Sequence, residues 1–285
     1  MAVLNPSSDI STYIQTIYED AMFVARENNM ASRLVTVFTD TNDEAKSRSS
    51  SEYGQATINT IGETDDLTGQ SFTPSVLQTL TPAEAGGQFF LTDTRVSADP
   101  FGVRNDAAME LGLATAKKIN TDVLGDLASL TGGTVGAAGT TITWGHFFAA
   151  HAQLVNTKAP PPYRCILHTY QWAQLAKAAS IAASTQPAPV GVVDDVMRRW
   201  FVGSVADTDI FITSDITVDA TDDANGGMFS PIAMALDMRR APRLEPERDA
   251  SRRGWELNFT TVYAHGVWRP AFGILMTFDA AKPTS

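Results

Sequence analysis

Between Asp99 and Gly133, the residues Met109, Leu113, Ala116, Ile119, Val123, Leu127 and Leu130 follow one another at steps of three and four. That spacing puts them on one stripe of a helix, so a single long helix is predicted over the stretch. Asp99 is placed to cap it, and Pro100 suits its first turn, where a missing N–H costs nothing. Gly132-Gly133 supplies the stop. At 1.5 Å per residue such a helix runs roughly 45–50 Å, long enough to act as a spine for other elements.

The pattern elsewhere divides the chain into regions. Residues 1–8 read as extended, and a helix capped by Ser8 or Asp9 runs to Asn29 on an apolar stripe of Ile10, Ile14, Ile17, Ala21 and Val24. From Thr36 to Gln78 the chain is polar and rich in Ser, Thr, Gly and Asp. Loops beyond about 12–15 residues are usually functional or disordered. The pieces Tyr53–Ile61 and Ser71–Leu80 alternate and fit a two-stranded hairpin, which alone in water is marginal and wants a second molecule. A disordered surface loop is the alternative. Ala85-Gly86-Gly87-Gln88 reads as a break, and Phe89–Val96 as a strand leading into the long helix.

After it, Thr134–Thr143 reads as a connector, followed by helices and short strands in alternation. Helices are predicted over Trp144–Thr157, Thr169–Ala183 and Asp194–Phe201, with strands over Tyr163–Leu167 and Asp209–Thr213. Lys158–Pro162 is a turn, Gln186–Gly191 a linker and Asp219–Gly227 an exposed turn. This alternation marks an α/β lobe. The remaining strands, Met228–Asp237, Arg243–Glu247, Trp255–Ala264 and Val267–Phe278, are rich in β-formers, with Gly266 as a tight turn or bulge. They are expected to form a sheet against the long helix.

Composition narrows the function. The 285 residues carry a net charge of −11 and are 44% hydrophobic. That length suits about two domains or one elaborated one. The acidic balance argues against tight nucleic-acid binding, though not against a wall that merely encloses DNA. One cysteine, Cys165, rules out an intramolecular disulfide and a cysteine-based zinc site. There is no apolar run long enough to span a membrane and no signal-peptide pattern.

Enzymatic signatures are absent. No phosphate loop, nucleophile elbow or zinc-protease motif occurs, and Gly132–Gly139 lacks the lysine and strand-to-helix context of a phosphate cradle. Thr221–Gly226 opens like a calcium loop but has Thr221 at the first ligand position and Ile232 at the last. His146 and His151 point to different faces of one helix, His168 sits where it can cap a helix, and His265 is expected in a β-turn. Cys165 lies inside an apolar strand and reads as a buried small hydrophobe. Neither a cofactor nor a metal is expected.

Two charged segments oppose each other. Arg239, Arg240, Arg243, Arg248, Arg252 and Arg253 are interleaved with four acids for a net +2. The loop of residues 36–78 holds Asp40, Asp43, Glu44, Glu52, Glu63, Asp65 and Asp66 for a net −5. Arginine's planar fork suits bidentate carboxylate pairing across an interface. The arginines and the acids Asp40, Asp43, Glu44, Glu63, Asp65 and Asp66 are therefore candidate intersubunit contacts. A solvated edge hairpin is the alternative.

The order of these parts resembles the major capsid protein of tailed phages of the Hong Kong 97 type. DPFGVRNDAAMELGLATAKKINTDVLGDL resembles the family's spine helix, YRCILHTYQWAQLAKAA its axial strand-then-helix unit, and RGWELNFTTVYAHGVWRPAFGILM its peripheral strands. The resemblance implies an α+β capsid fold. Its parts would be an N-terminal arm (1–35), an extended loop (36–80), a peripheral domain with the spine helix (81–133 and 228–285) and an axial domain (134–227). It implies a non-enzymatic subunit forming hexamers and pentamers of an icosahedral shell around double-stranded DNA, in a virion assembled in the host cytoplasm. The extended loop would lie over an adjacent subunit. Expected partners are a separate scaffolding protein, since the chain has no room before its arm for a built-in one, a portal and, optionally, a decoration protein, with no membrane. Lysine–asparagine crosslinking is not carried over, because Lys46 is the loop's only lysine and no matching Asn–Glu pair can be placed. An encapsulin-type compartment shares the fold and is the alternative.

Overall fold

The computed structural model describes residues 30–39, 46–54, 56–62, 66, 69–98, 102–182 and 201–283. The predicted helix over 8–29, the Asp99–Pro100 cap, the 186–191 linker and the helix from Asp194 up to Phe201 lie outside these residues. Phe201 itself opens a strand.

Chain order is α1 (Ala31–Leu34), β1 (Thr36–Thr39), β2 (Arg48–Tyr53), β3 (Pro74–Leu80), β4 (Ala83–Thr92), α2 (Asp93–Ala98), α3 (Val103–Gly125) and β5 (Thr134–Gly136). Then come α4 (Trp144–Asn156), β6 (Tyr163–His168), α5 (Thr169–Ala182), β7 (Phe201–Val205), β8 (Thr208–Thr213), β9 (Asp223–Phe229), β10 (Met234–Asp249), β11 (Gly254–Val267) and β12 (Gly273–Asp279). Among the described residues three sheets result: a four-stranded one in the order β1-β10-β11-β4, a six-stranded one in the order β5-β12-β9-β6-β8-β7, and the hairpin β2-β3.

The long helix exists but is shorter than its pattern suggested. α3 has 23 residues, about 35 Å at the standard rise. It begins after Gly102, whose φ of 84° only glycine adopts easily, and hands over at Gly125 to a 3₁₀ turn, Asp126–Ser129. That turn still points Leu127 and Leu130 into the core, which is why the stripe overran the helix. Gly132 is bound to the start of β12 instead, its N–H donating to the Gly273 carbonyl. Met109 and Leu113 are exposed, because the first half of α3 buries Ala108 and Leu111 over Leu91, Leu244, Leu257 and Phe259.

The second half of α3 ties the two larger sheets together. Ile119, Val123 and Leu124, with Leu127 of the turn that follows, pack with Leu236, Tyr263 and Val267 of one and with Ile166, Phe211 and Phe229 of the other. A separate core on the six-stranded sheet seats α4 and α5 through Phe147, Leu154, Trp172 and Leu175. Thr143 caps α4 with a reciprocal pair of bonds to His146.

Glycine explains most of the other differences. Gly86 and Gly87 do not break the chain; they lie inside β4, paired with Thr260 and Phe259. A Cβ on Gly86 would sit 2.8 Å from the Phe259 carbonyl oxygen, so glycine lets the strands close. Gly266 likewise lies within β11, opposite Ala235, where a Cβ would meet Leu80 at 2.8 Å. Residues 223–227 are strand, not exposed turn, because Gly226 and Gly227 let β9 run against β6 and β12.

Other boundaries move for local reasons. The strand over Phe89–Val96 stops at Thr92, whose Oγ1 accepts the Arg95 N–H and starts α2. Pro231 and Pro270 each start a 3₁₀ turn, which splits the expected strands 228–237 and 267–278. Thr134–Gly136 of the expected connector is a strand beside β12. The hairpin's first strand is Arg48–Tyr53 and not Tyr53–Ile61. β12 sits in the six-stranded sheet, so that sheet draws on residues on both sides of position 228.

Candidate functional site

The hairpin β2-β3 is exposed along most of its length. Its root is fastened to the four-stranded sheet. Leu80 is buried with Ala235 and Ala264, flanked by Phe38 and Trp268. The Ser50 hydroxyl donates to the Trp268 carbonyl at 3.3 Å, and Arg48 Nε donates to Asp237 Oδ2 at 2.8 Å.

Beyond the root the hairpin strands and the segment that joins them carry apolar side chains into solvent. Ile58 is 92%, Phe72 72% and Val76 67% exposed, and Tyr53 and Ile61 are exposed as well. Tyr53 and Phe72 stack with ring centroids 4.6 Å apart. Gln70 closes the outer loop, accepting the Thr57 N–H at 2.9 Å and donating back to the Thr57 carbonyl. Several exposed apolar side chains gathered on one appendage mark an interaction surface. Sequence reasoning missed these residues because all but Val76 stand alone among polar neighbours; the signal was aromatic and aliphatic residues spaced through a stretch otherwise too polar to need them.

The arginines expected to face a neighbour are largely engaged within the chain. Arg239 is buried and paired with Asp237 at 2.8 Å. Arg240 pairs with Glu84 on β4, and Arg243 with Glu245 at 3.1 Å. Arg248 grips Asp93 with two bonds of 2.5 and 2.8 Å and lies over Trp255. That carboxylate pushes the Arg248 guanidinium above its ordinary value. Arg252 reaches Asp249 and Glu256 at 3.8 Å, and its guanidinium lies over the Phe90 ring. Arg253 takes a positive φ of 53° in the turn between β10 and β11. Of the acids, Asp66 is exposed, and Asp40, Asp43, Glu44, Glu63 and Asp65 lie outside the described residues. Glu84 and Asp93, which sequence reasoning did not single out, take two of the arginines.

A second charged network joins α3 to β11. Asp122 accepts from Lys118 Nζ at 2.6 Å and from the Tyr263 hydroxyl at 2.6 Å. His265 Nδ1 lies 2.8 Å from Asp126 Oδ2. His265 is therefore in a strand and not a turn, and its Asp126 partner raises its pKa. Burial works against the Asp122 charge, but the Lys118 and Tyr263 bonds prevail and lower its pKa. The Tyr263 hydroxyl is pushed up by burial and by Asp122.

The remaining candidates do not converge on chemistry. Cys165 is fully buried, and burial pushes its thiol up to about 12, far from a thiolate nucleophile. His168 accepts the Tyr170 N–H at 3.2 Å and caps α5, and burial lowers its pKa. Asp219 accepts from Thr221 and Asp223 within its own turn. Among the described residues no three His, Cys, Asp or Glu side chains gather to hold a metal. A cavity of about 460 Å³ between β4 and α3 is lined by Glu84, Gly86, Gly87, Leu111, Thr115, Lys118 and Tyr263. Its charged groups are already paired, Lys118 to Asp122 and Glu84 to Arg240. No described helix is long and apolar enough to cross a membrane.

Comparison with known proteins places this geometry. The family model described as phage capsid protein matches residues 76–275. No curated protein matches the sequence significantly. Among solved structures, the capsid of cyanophage P-SCSP1u is similar at 16% identity and a TM-score of 0.69, covering 87% of each chain. Mycobacterium phage Che8 is similar at 13% identity and a TM-score of 0.64, covering 87% of this chain and 90% of that one. A virus-like particle from Pyrococcus furiosus is similar at 11% identity and a TM-score of 0.58, covering 93% and 99%. At these identities the likeness is one of fold.

Proposed function

This chain belongs to the phage capsid protein family, and from that premise we propose that its copies join as hexamers and pentamers in the icosahedral shell of a virion, with the hairpin β2-β3 of each laid over its neighbour. The protein is a structural subunit of the shell, and its role there is assembly, not catalysis. The observation that carries the hairpin's part is the set of exposed apolar side chains Tyr53, Ile58, Ile61, Phe72 and Val76 on an element whose buried anchor is its root. An appendage of this kind gains its stability from a neighbour. Heterologous contacts of one patch with a different patch on the next copy close rings, and many such contacts act together.

The scheme of arm (1–35), extended loop (36–80), peripheral part (81–133 and 228–285) and axial part (134–227) is the frame for this reading. The acidic balance of −11 suits a wall that encloses double-stranded DNA without reading its sequence. Assembly in the host cytoplasm with a separate scaffolding protein, a portal and, optionally, a decoration protein completes the proposal. Contacts between the loop acids Asp40, Asp43, Glu44, Glu63, Asp65 and Asp66 and arginines 243, 252 and 253 of a neighbour fit the opposite net charges of the two segments. A protein compartment is not favoured, because the matching family is that of phage capsids.

Sedimentation of the double variant Tyr53→Ser, Phe72→Ser tests the hairpin's role. Both side chains are solvent-facing, so the subunit keeps its melting temperature while shells no longer form. Shells of normal yield and size from this variant would refute it.

A further inference from the structure

One of the groups that fasten the hairpin to the body of the subunit is unusual. Asp237 of β10 is wholly buried, with its carboxylate shared by two arginines: Oδ2 accepts from Arg48 Nε and pairs with Arg239 Nη2, both at 2.8 Å. Arg239 belongs to the sheet and is only 3% exposed, in a stretch of β10 where the register with β11 shifts. Arg48 belongs to the first residue of the hairpin and also lies 4.6 Å over the Phe38 ring. One buried carboxylate thus joins the sheet to the hairpin's root. A buried charge is costly unless paired, so the guanidinium at the root is held in place and does not swing free. A further ion pair between hairpin and body, Arg269 with Glu52 near the outer end of β2, is open to solvent and longer at 3.8 Å.

We propose that Asp237 is a positioning residue for assembly: by holding Arg48 it sets the angle at which the hairpin leaves the four-stranded sheet, and so where the exposed apolar side chains meet the next subunit. The proposal rests on the hairpin being the intersubunit element. On this proposal the angle sets how neighbouring subunits meet, so loosening it yields particles of mixed diameter.

The test reads the angle directly. Spin labels are placed at Val76→Cys on the hairpin and Val155→Cys on α4, both exposed, while the buried Cys165 stays unlabelled. Labelled full-length chain is diluted into an excess of unlabelled chain, so that only distances within one subunit are read. Arg48→Gln is the primary variant, because it leaves the buried Asp237–Arg239 pair intact; Asp237→Asn is the second. With Arg48→Gln, the width of the distance distribution at least doubles while the melting temperature stays that of the parent, and particle diameters spread. A distribution as narrow as the parent's, or one that broadens only where the melting temperature has fallen too, overturns the proposal. The distances are read on the unassembled subunit, where the hairpin meets no neighbour, so that measurement can fail while the assembly reading stands, and the reverse.

Discussion

His265 Nδ1 and Asp126 Oδ2 lie 2.8 Å apart, joining the strand β11 to the 3₁₀ turn that ends the long helix. The Asp126 bond holds the imidazolium above the ordinary histidine value of 6.5. In the unfolded chain that partner is lost. The stability the pair contributes is therefore whole below pH 6.5 and fades as pH rises through the raised native value. Urea unfolding at about pH 6 and about pH 8.5, on either side of a histidine titration, should show the parent losing more stability than His265→Gln. Asp122 works in the opposite direction. Its lowered pKa adds stability above 3.8 that is lost as pH falls through the native value.

Leu127 is the joint between the two larger sheets. It is fully buried in the core that α3 shares with both, and it touches the position of Gly227. Leu127→Ala should cost about 2–5 kcal/mol, read as a lowered denaturation midpoint. A cost no greater than that of an exposed leucine would show that the two sheets do not depend on this core.

Gly132 has no room for a side chain. A Cβ there would lie 2.3 Å from the Ala271 carbonyl oxygen and 2.7 Å from that of Gly273. Both obstacles are backbone, so Gly132→Ala should destabilise by about 1–3 kcal/mol. Gly54, with nothing within 4 Å of its Cβ position, is the control. Gly54→Ala should stay within about 0.5 kcal/mol of the parent.

Elements whose determinants are local were legible in the sequence. Trp144–Asn156, Tyr163–His168, Thr169–Ala182 and Thr208–Thr213 were placed within a residue or two by period and flanking turns. The failures are long-range. Gly86, Gly87 and Gly266 look like breaks until Phe259, Leu111 and Leu80 are seen pressing on them. The end of α3 was hidden because its 3₁₀ turn keeps Leu127 and Leu130 on the helical stripe.

The candidate site was half legible for the same reason. The run of arginines was plain, but Arg240 and Arg248 meet Glu84 and Asp93 from 156 and 155 positions away. His265 and Asp126 are 139 positions apart, and Arg48 and Asp237 are 189. No local pattern announces such pairs. The exposed apolar side chains were obscured because Ile58 and Phe72 are isolated among Ser, Thr and Gly.

The most direct test of the account is negative-stain electron microscopy of the purified full-length chain, with light scattering on the same sample. The account predicts pentamers and hexamers, or closed shells. A chain that stays a monomer or small dimer at the highest attainable concentration would contradict it.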